Sequence, residues 1–158
     1  MFHRLAANGR YWISLFLALG LGFFSFGTPA AESASGSLPP AIAITEGKTR
    51  QGFPYISGGV STDEREAMEK EGKAYNVKLS FAEKRGPYLS DVKLVIEGSK
   101  GTEIINTVTN GPWFYIQLPA GSYTVKATFN DKTREIKRLD VQKDKPVRQT
   151  LTWDLGEQ

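Results

Sequence analysis

The sequence contains no cysteine, and its single histidine is His3. Without cysteine there are no disulfides, no thiolate zinc sites, no thiol catalysis and no cysteine-anchored lipid of the bacterial lipoprotein kind. The fold must therefore rest on its core alone. Beyond His3 there is no imidazole, which removes Ser-His-Asp and Cys-His catalysis, histidine acid–base chemistry and nearly all zinc hydrolysis. Carboxylate pairs remain possible in principle for acid–base work. No spacing marks a cofactor or metal site, and neither is expected.

Long apolar runs are scarce as well. The one present lies in MFHRLAANGRYWISLFLALGLGFFSFGTPAAES, where Arg4 and Arg10 precede an apolar stretch from Tyr11 to Phe26 and small residues follow at Thr28, Ala30 and Ala31. This is the layout of a secretory signal peptide over residues 1–31, cleaved after Ala30 or Ala31. Its apolar stretch is about 16 residues, short of the ~20 that a membrane-crossing helix needs. The expected address is bacterial, periplasmic or secreted, with no membrane span after cleavage.

Strong charge of one sign is lacking too. The chain carries 20 basic and 17 acidic residues, and loss of Arg4 and Arg10 with the signal leaves it close to neutral. Charges of both signs are scattered rather than gathered into a stripe, so nucleic acid is not an expected partner.

Residues 32–53 are rich in Ser, Gly, Pro and Ala without a period and read as a flexible leader, with a short strand suggested around Ala41–Ile44. Residues 54–73 contain one helix, expected over about 62–72. Ser61 stands three residues before Glu64 in a capping-box pattern, Asp63 and Glu64 fall in the first turn, and Glu66–Lys70 and Glu69–Lys73 are i,i+4 pairs. Beyond Ala67 and Met68 this helix has little apolar surface, so most of it should face water.

From Tyr75 the period becomes two. Alternation over Tyr75–Phe81, Val92–Ile96, Thr102–Thr109, Trp113–Leu118, Tyr123–Phe129, Arg134–Val141 and Val147–Trp153, with turn residues between, predicts seven strands. The expected fold is all-β: a seven-stranded antiparallel β-sandwich over 74–155, transthyretin-like or immunoglobulin-like, preceded by one short helix.

The segment Leu118-Pro119-Ala120-Gly121-Ser122-Tyr123-Thr124-Val125 resembles the hallmark of carboxypeptidase regulatory-like domains, which are transthyretin-like sandwiches. The resemblance implies a tyrosine corner built on Leu118, Pro119, Gly121 and Tyr123. Gly58-Gly59-Val60-Ser61, Asp63-Glu64-Arg65, Tyr75-Asn76-Val77-Lys78-Leu79 and Gly111-Pro112-Trp113 are similar to small exported proteobacterial proteins of that one domain, over about residues 55–153. Fold resemblance does not carry function. The zinc carboxypeptidase pattern of H-x-x-E with a further His is absent, as are the histidines and the terminal Tyr-Arg-Gly-Ser of hydroxyisourate hydrolases.

Within the fourth expected strand, Phe114, Ile116 and Leu118 should face the core, leaving Trp113, Tyr115 and Gln117 outward as a candidate stacking platform. The competing reading is that the helix or the leader covers them. The acids Asp63, Glu64, Glu66, Glu69 and Glu71 lack calcium-loop spacing and read as a solvated helix face. Gly58-Gly59-Val60-Ser61 reads as a hinge rather than a phosphate cradle, because acids follow at once. The expected function is that of a non-enzymatic binding or accessory module of the cell envelope, with an envelope protein or a glycan as partner. Two alternatives stay open: a carbohydrate-binding protein using the aromatic face, and a carboxylate-dependent hydrolase.

Overall fold

In a computed structural model, residues 43–156 can be described. The expected signal peptide and the first half of the expected leader, including Ala41 and Ile42 of its suggested strand, lie outside these residues. Along the described chain run β1 (Thr45–Lys48), β2 (Pro54–Gly58), α1 (Thr62–Glu71), a 3-10 turn (Gly72–Ala74), β3 (Val77–Glu83), β4 (Lys93–Gly98), β5 (Glu103–Val108), β6 (Trp113–Ile116), β7 (Gly121–Phe129), β8 (Lys132–Val141) and β9 (Val147–Trp153). No helix among the described residues is long and apolar enough to cross a membrane.

The strands form two sheets. The first has the order β1-β2-β6-β3-β9, and the second the order β5-β4-β7-β8. Alternation explains how they stack. Val77, Leu79 and Phe81 of β3, Phe114 and Ile116 of β6, and Leu151 and Trp153 of β9 face Leu94, Ile96, Val125, Ala127, Leu139 and Val141 of the other sheet in one buried cluster. Fully burying such a side chain is worth roughly 1.5–3 kcal/mol of gross transfer energy, so the inter-sheet core is the main source of stability in a chain without disulfides. Trp153 sits at its end, with ring centroids of Phe81 and Phe129 both 6.3 Å away, and its indole N–H donates to the Lys132 carbonyl at 2.7 Å.

Turns follow local chemistry. Asn130 and Asp131 both have positive φ, 44° and 57°, between the paired residues Phe129 and Lys132. That is the two-residue hairpin geometry whose twist suits the flanking strands.

The structure corrects three expectations. There are nine strands among the described residues rather than seven, because β1 and β2 extend the first sheet beyond β6. Thr45–Lys48 thus lies in the stretch read as flexible leader. Its sequence, TEGK, carries no apolar period, and it is held by its ladder to β2. The sandwich is also not wholly antiparallel: β3 and β9 pair in parallel from Val77↔Val147 to Glu83↔Trp153. Alternation reports which face a residue takes but not which strand lies beside it. The helix itself, expected at about 62–72, spans Thr62–Glu71.

Candidate functional site

The outer face of the first sheet is a grid set by the strand register. One cross-strand row reads Glu46, Ile56, Tyr115, Lys78 and Arg148, and the next reads Gly58, Trp113, Ser80 and Thr150. Helix α1 lies over the first row. Met68, the apolar residue that the helix buries, packs with Ile56 and Tyr115 in a second small cluster edged by Ile44, Tyr75 and Trp113. The helix end comes close enough that a Cβ at Gly72 would sit 2.9 Å from both Lys78 Nζ and the Tyr115 ring. Gly72 is what lets the chain approach there.

This arrangement revises the expected platform. Trp113, Tyr115 and Gln117 do turn away from the inter-sheet core, but they do not form one open surface. Tyr115 is only 3% exposed beneath the helix, and burial raises its phenol pKa above the ordinary value. Gln117 is half-buried at the far end of β6, beside Tyr75, Asn76 and Pro146. Its backbone N–H donates to the Pro54 carbonyl at 3.0 Å. Of the three, Trp113 lines the larger groove described below and Gln117 a smaller hollow. Among the described residues the helix covers Tyr115, while Trp113 is partly buried at the edge of that cluster.

Local sequence explains why the helix sits where it does. Ser61 Oγ accepts the Glu64 N–H at 3.1 Å, and Glu64 Oε2 turns back to accept the N–H groups of Gly59 at 3.0 Å and Val60 at 2.9 Å. Arg65 closes the turn by donating from Nη1 to the carbonyls of Gly59 and Val60, both at 3.0 Å. Gly59 has φ +90° and lies against Trp113, where a Cβ would be 3.2 Å from the indole. A side chain would be strained by the backbone and crowded by the ring at once. The amides that an anion would need are occupied by Glu64, which agrees with the hinge reading of Gly58–Ser61 rather than a phosphate cradle. Of the helix acids Glu64 is buried, while Asp63, Glu66, Glu69 and Glu71 are exposed.

Past the helix the outer face opens into a groove of about 580 Å³ lined by Ser80, Ala82, Gly86, Pro87, Tyr88, Trp113 and Thr150. Tyr88 is 55% exposed. It pairs with Ala82 in an antiparallel bridge, which places it beyond Trp113 on the same side of β3. Tyr115, Trp113 and Tyr88 thereby follow one another along the sheet, the first two rings nearly parallel at 17° with centroids 6.1 Å apart. The Ser80 and Thr150 hydroxyls lie in one row across the groove floor. Tyr88 escapes a reading of the sequence because Arg85-Gly86-Pro87 reads as a turn and the bridge that follows is too short to show a period.

Beside the groove stands a like-charge pair. The register puts Lys78 directly opposite Arg148. Neither makes an ion pair among the described residues. Lys78 is 8% exposed, with its ammonium 4.9 Å from the centre of the Tyr115 ring. Burial chiefly, and then the Arg148 charge, hold its pKa below the ordinary lysine value, against a smaller opposing pull from Glu69.

The corner residues behave as local chemistry requires. Tyr123 Oη donates to the Pro119 carbonyl at 2.9 Å across the Pro119–Gly121 turn, and Leu118 is buried in the main core. Asn76 adds a feature that the sequence pattern does not announce. Its side-chain amide donates to the Leu118 carbonyl at 2.7 Å and accepts the Leu118 N–H at 2.9 Å, copying a ladder step where β3 has not yet begun. Elsewhere, Glu83 and Asp154 line one hollow, where Asp154 meets Lys84 at 3.8 Å with both side chains mostly exposed. No family model matches the chain, and neither a curated protein nor a solved structure is found to match it.

Proposed function

We propose that this protein is a non-enzymatic binding module, exported to the periplasm or beyond, which presents the groove on the outer face of its first sheet to a ligand of the cell envelope. One observation carries the reading. Trp113 and the largely exposed Tyr88 line the same groove with two hydroxyls between β3 and β9, while Tyr115 on that face is covered. Aromatic side chains left open in such company are the usual means of holding an apolar surface that also carries polar groups.

The same proposal includes a transthyretin-like class for the sandwich, supported by the Pro119–Tyr123 corner and by the resemblance of that segment to carboxypeptidase regulatory-like domains. A carboxylate hydrolase is the weaker alternative. Glu83 and Asp154 share a hollow, but Asp154 is exposed and salt-bridged, without the burial that tunes a catalytic acid.

The test is capture of partners from envelope extract by the tagged mature protein and by its Trp113→Ala/Tyr88→Ala variant. Circular dichroism would establish that both are folded. Capture that depends on the two aromatic residues supports the reading. A partner retained equally by the variant moves the binding face elsewhere.

A further inference from the structure

We infer that the groove takes an acidic sugar, with a pyranose ring against Trp113 and Tyr88 and its carboxylate beside Arg148; this rests on the binding function proposed above. Three observations lead there.

First, the like-charge pair forms no ion pair of its own, although the Lys78 ammonium rests over the Tyr115 ring and feels a weaker pull from Glu69. Like charges side by side on neighbouring strands repel, and Lys78 and Arg148 stand so across the parallel β3–β9 pair without an ion-pair partner among the described residues. Pairing is the exception on this molecule: among the described residues only Lys84, Lys126 and Arg138 meet an acid. Lys126 meets Glu97 at 2.8 Å, and Arg138 meets Asp140 at 3.0 Å. An anion at Arg148 would relieve the repulsion that Lys78 feels. Arg148 is the exposed member, and Lys78 supports it from under the helix end.

Second, the cations and the groove are continuous. Arg148 and Thr150 lie two residues apart on the same face of β9, as do Lys78 and Ser80 on β3, a step of about 6.8 Å. The distance suits a carboxylate carried on a ring whose apolar face rests on Trp113.

Third, the groove opens over the sheet face, although Thr150 stands on β9, the edge strand of that sheet. The ladders of β3 to β6 and β9 already engage the backbone groups of β3 on both sides, so a peptide could add as a strand only along the outer side of β9 and not over the groove. Over the groove, its own N–H and C=O groups would find only the Ser80 and Thr150 hydroxyls. A sugar brings an apolar C–H face for the aromatics and hydroxyls that remain hydrated at an open groove.

The experiment is a titration of the purified mature protein, followed by calorimetry and tryptophan fluorescence, at low salt. The probes are short oligomers of galacturonate, of mannuronate and guluronate, and of hyaluronan, each compared with its neutral methyl ester. The expected result is that at least one acid form binds about tenfold more tightly than its ester. That preference should disappear in Arg148→Gln, which keeps residual ester binding, and should shrink as salt screens the pair. Trp113→Ala should lose both. Equal binding of acid and ester, or a preference that survives Arg148→Gln, overturns the role given to charge and leaves the groove as a neutral-sugar site. No binding anywhere in the panel overturns the sugar inference. If an acidic peptide then binds with dependence on Trp113 and Arg148, the proposed binding function stands with a protein partner. If the capture experiment is also indifferent to Trp113 and Tyr88, that function fails too.

Discussion

The two faces of the first sheet are built from the same strands and behave in opposite ways. On the inner face, Val77, Leu79, Phe81, Phe114, Ile116, Leu151 and Trp153 are all buried against the second sheet. On the outer face, apolar residues are few, and what covers them is a single helix contributing chiefly Met68. Part of that face stays open, and it is the part holding Trp113, Ser80 and Thr150. A sheet packed on both faces would have no room for a ligand. A sheet covered on one face by a sheet and on part of the other by a short helix keeps its stability on one side and a usable surface on the other.

Given that division, the largest effect of any single truncation belongs to the inner face. Trp153→Ala should cost about 3–5 kcal/mol, the range for large aromatic truncations in a packed core. It also leaves the Lys132 carbonyl without its indole donor. Urea unfolding followed by far-ultraviolet circular dichroism would read this as a single cooperative transition at much lower denaturant. Met68→Ala tests the outer face. Truncating a buried methionine costs most where the surroundings cannot collapse, and here a contact made chiefly by one side chain lets the helix relax. A loss of about 2 kcal/mol is therefore expected. Hydrogen exchange should then quicken in Thr62–Glu71 while β3 and β6 remain protected. A loss as large as that of Trp153→Ala would show that the two faces are one cooperative core.

The same division explains what is legible in the sequence. The inner face is readable because alternation at Tyr123–Phe129 or Val92–Ile96 records which residues are buried, whatever their partners. The Ser61–Glu64 cap is readable because capping is local. What escapes depends on contacts distant in sequence. Strand β1 has no pattern of its own, the parallel β3–β9 pair joins residues about seventy positions apart in the chain, and Tyr88 gains its place from a one-residue bridge. Alternation singles out Trp113 as outward-facing, and the groove agrees. It gives Tyr115 and Gln117 the same status, since only the docking of Met68 decides that Tyr115 is covered. Lys78 opposite Arg148 cannot be found without the register.

Alkaline titration distinguishes the faces by charge. Burial is the first cause raising the phenols of Tyr75 and Tyr115, with Glu46 and Glu71 adding to the shift of Tyr75. Folding therefore favours their protonated forms. That stability is fully present below the unfolded tyrosine value of 10.0 and is lost as pH rises through the higher folded values. Lys78 works the other way, because its lowered pKa means that the native state gives up its proton first and gains stability as pH approaches 10.5. Above pH 10 the helix-covered face should weaken in the wild type. In Lys78→Met, without the opposing gain, the decline should be steeper. Both are read as urea midpoints between pH 8 and pH 11, and an unchanged slope in the lysine variant would remove Lys78 from the account.

The smallest effect on stability should come from the groove itself. Tyr88 is mostly exposed and belongs to neither buried cluster, so Tyr88→Ala should change the unfolding free energy by no more than about 0.5 kcal/mol, as surface substitutions do. Tyr115→Ala, on the other side of Trp113, should cost several times more, because it empties the space beneath Met68. Paired urea titrations of the two variants compare covered and open parts of one face directly. Binding should respond in the reverse order. Tyr88→Ala should weaken ligand binding with the fold intact, whereas Tyr115→Ala should act on binding only through loss of structure. Were Tyr88→Ala to destabilise as much as Tyr115→Ala, the groove wall would be part of the core, and the open part of the sheet would lose its claim to be a surface kept free for a ligand.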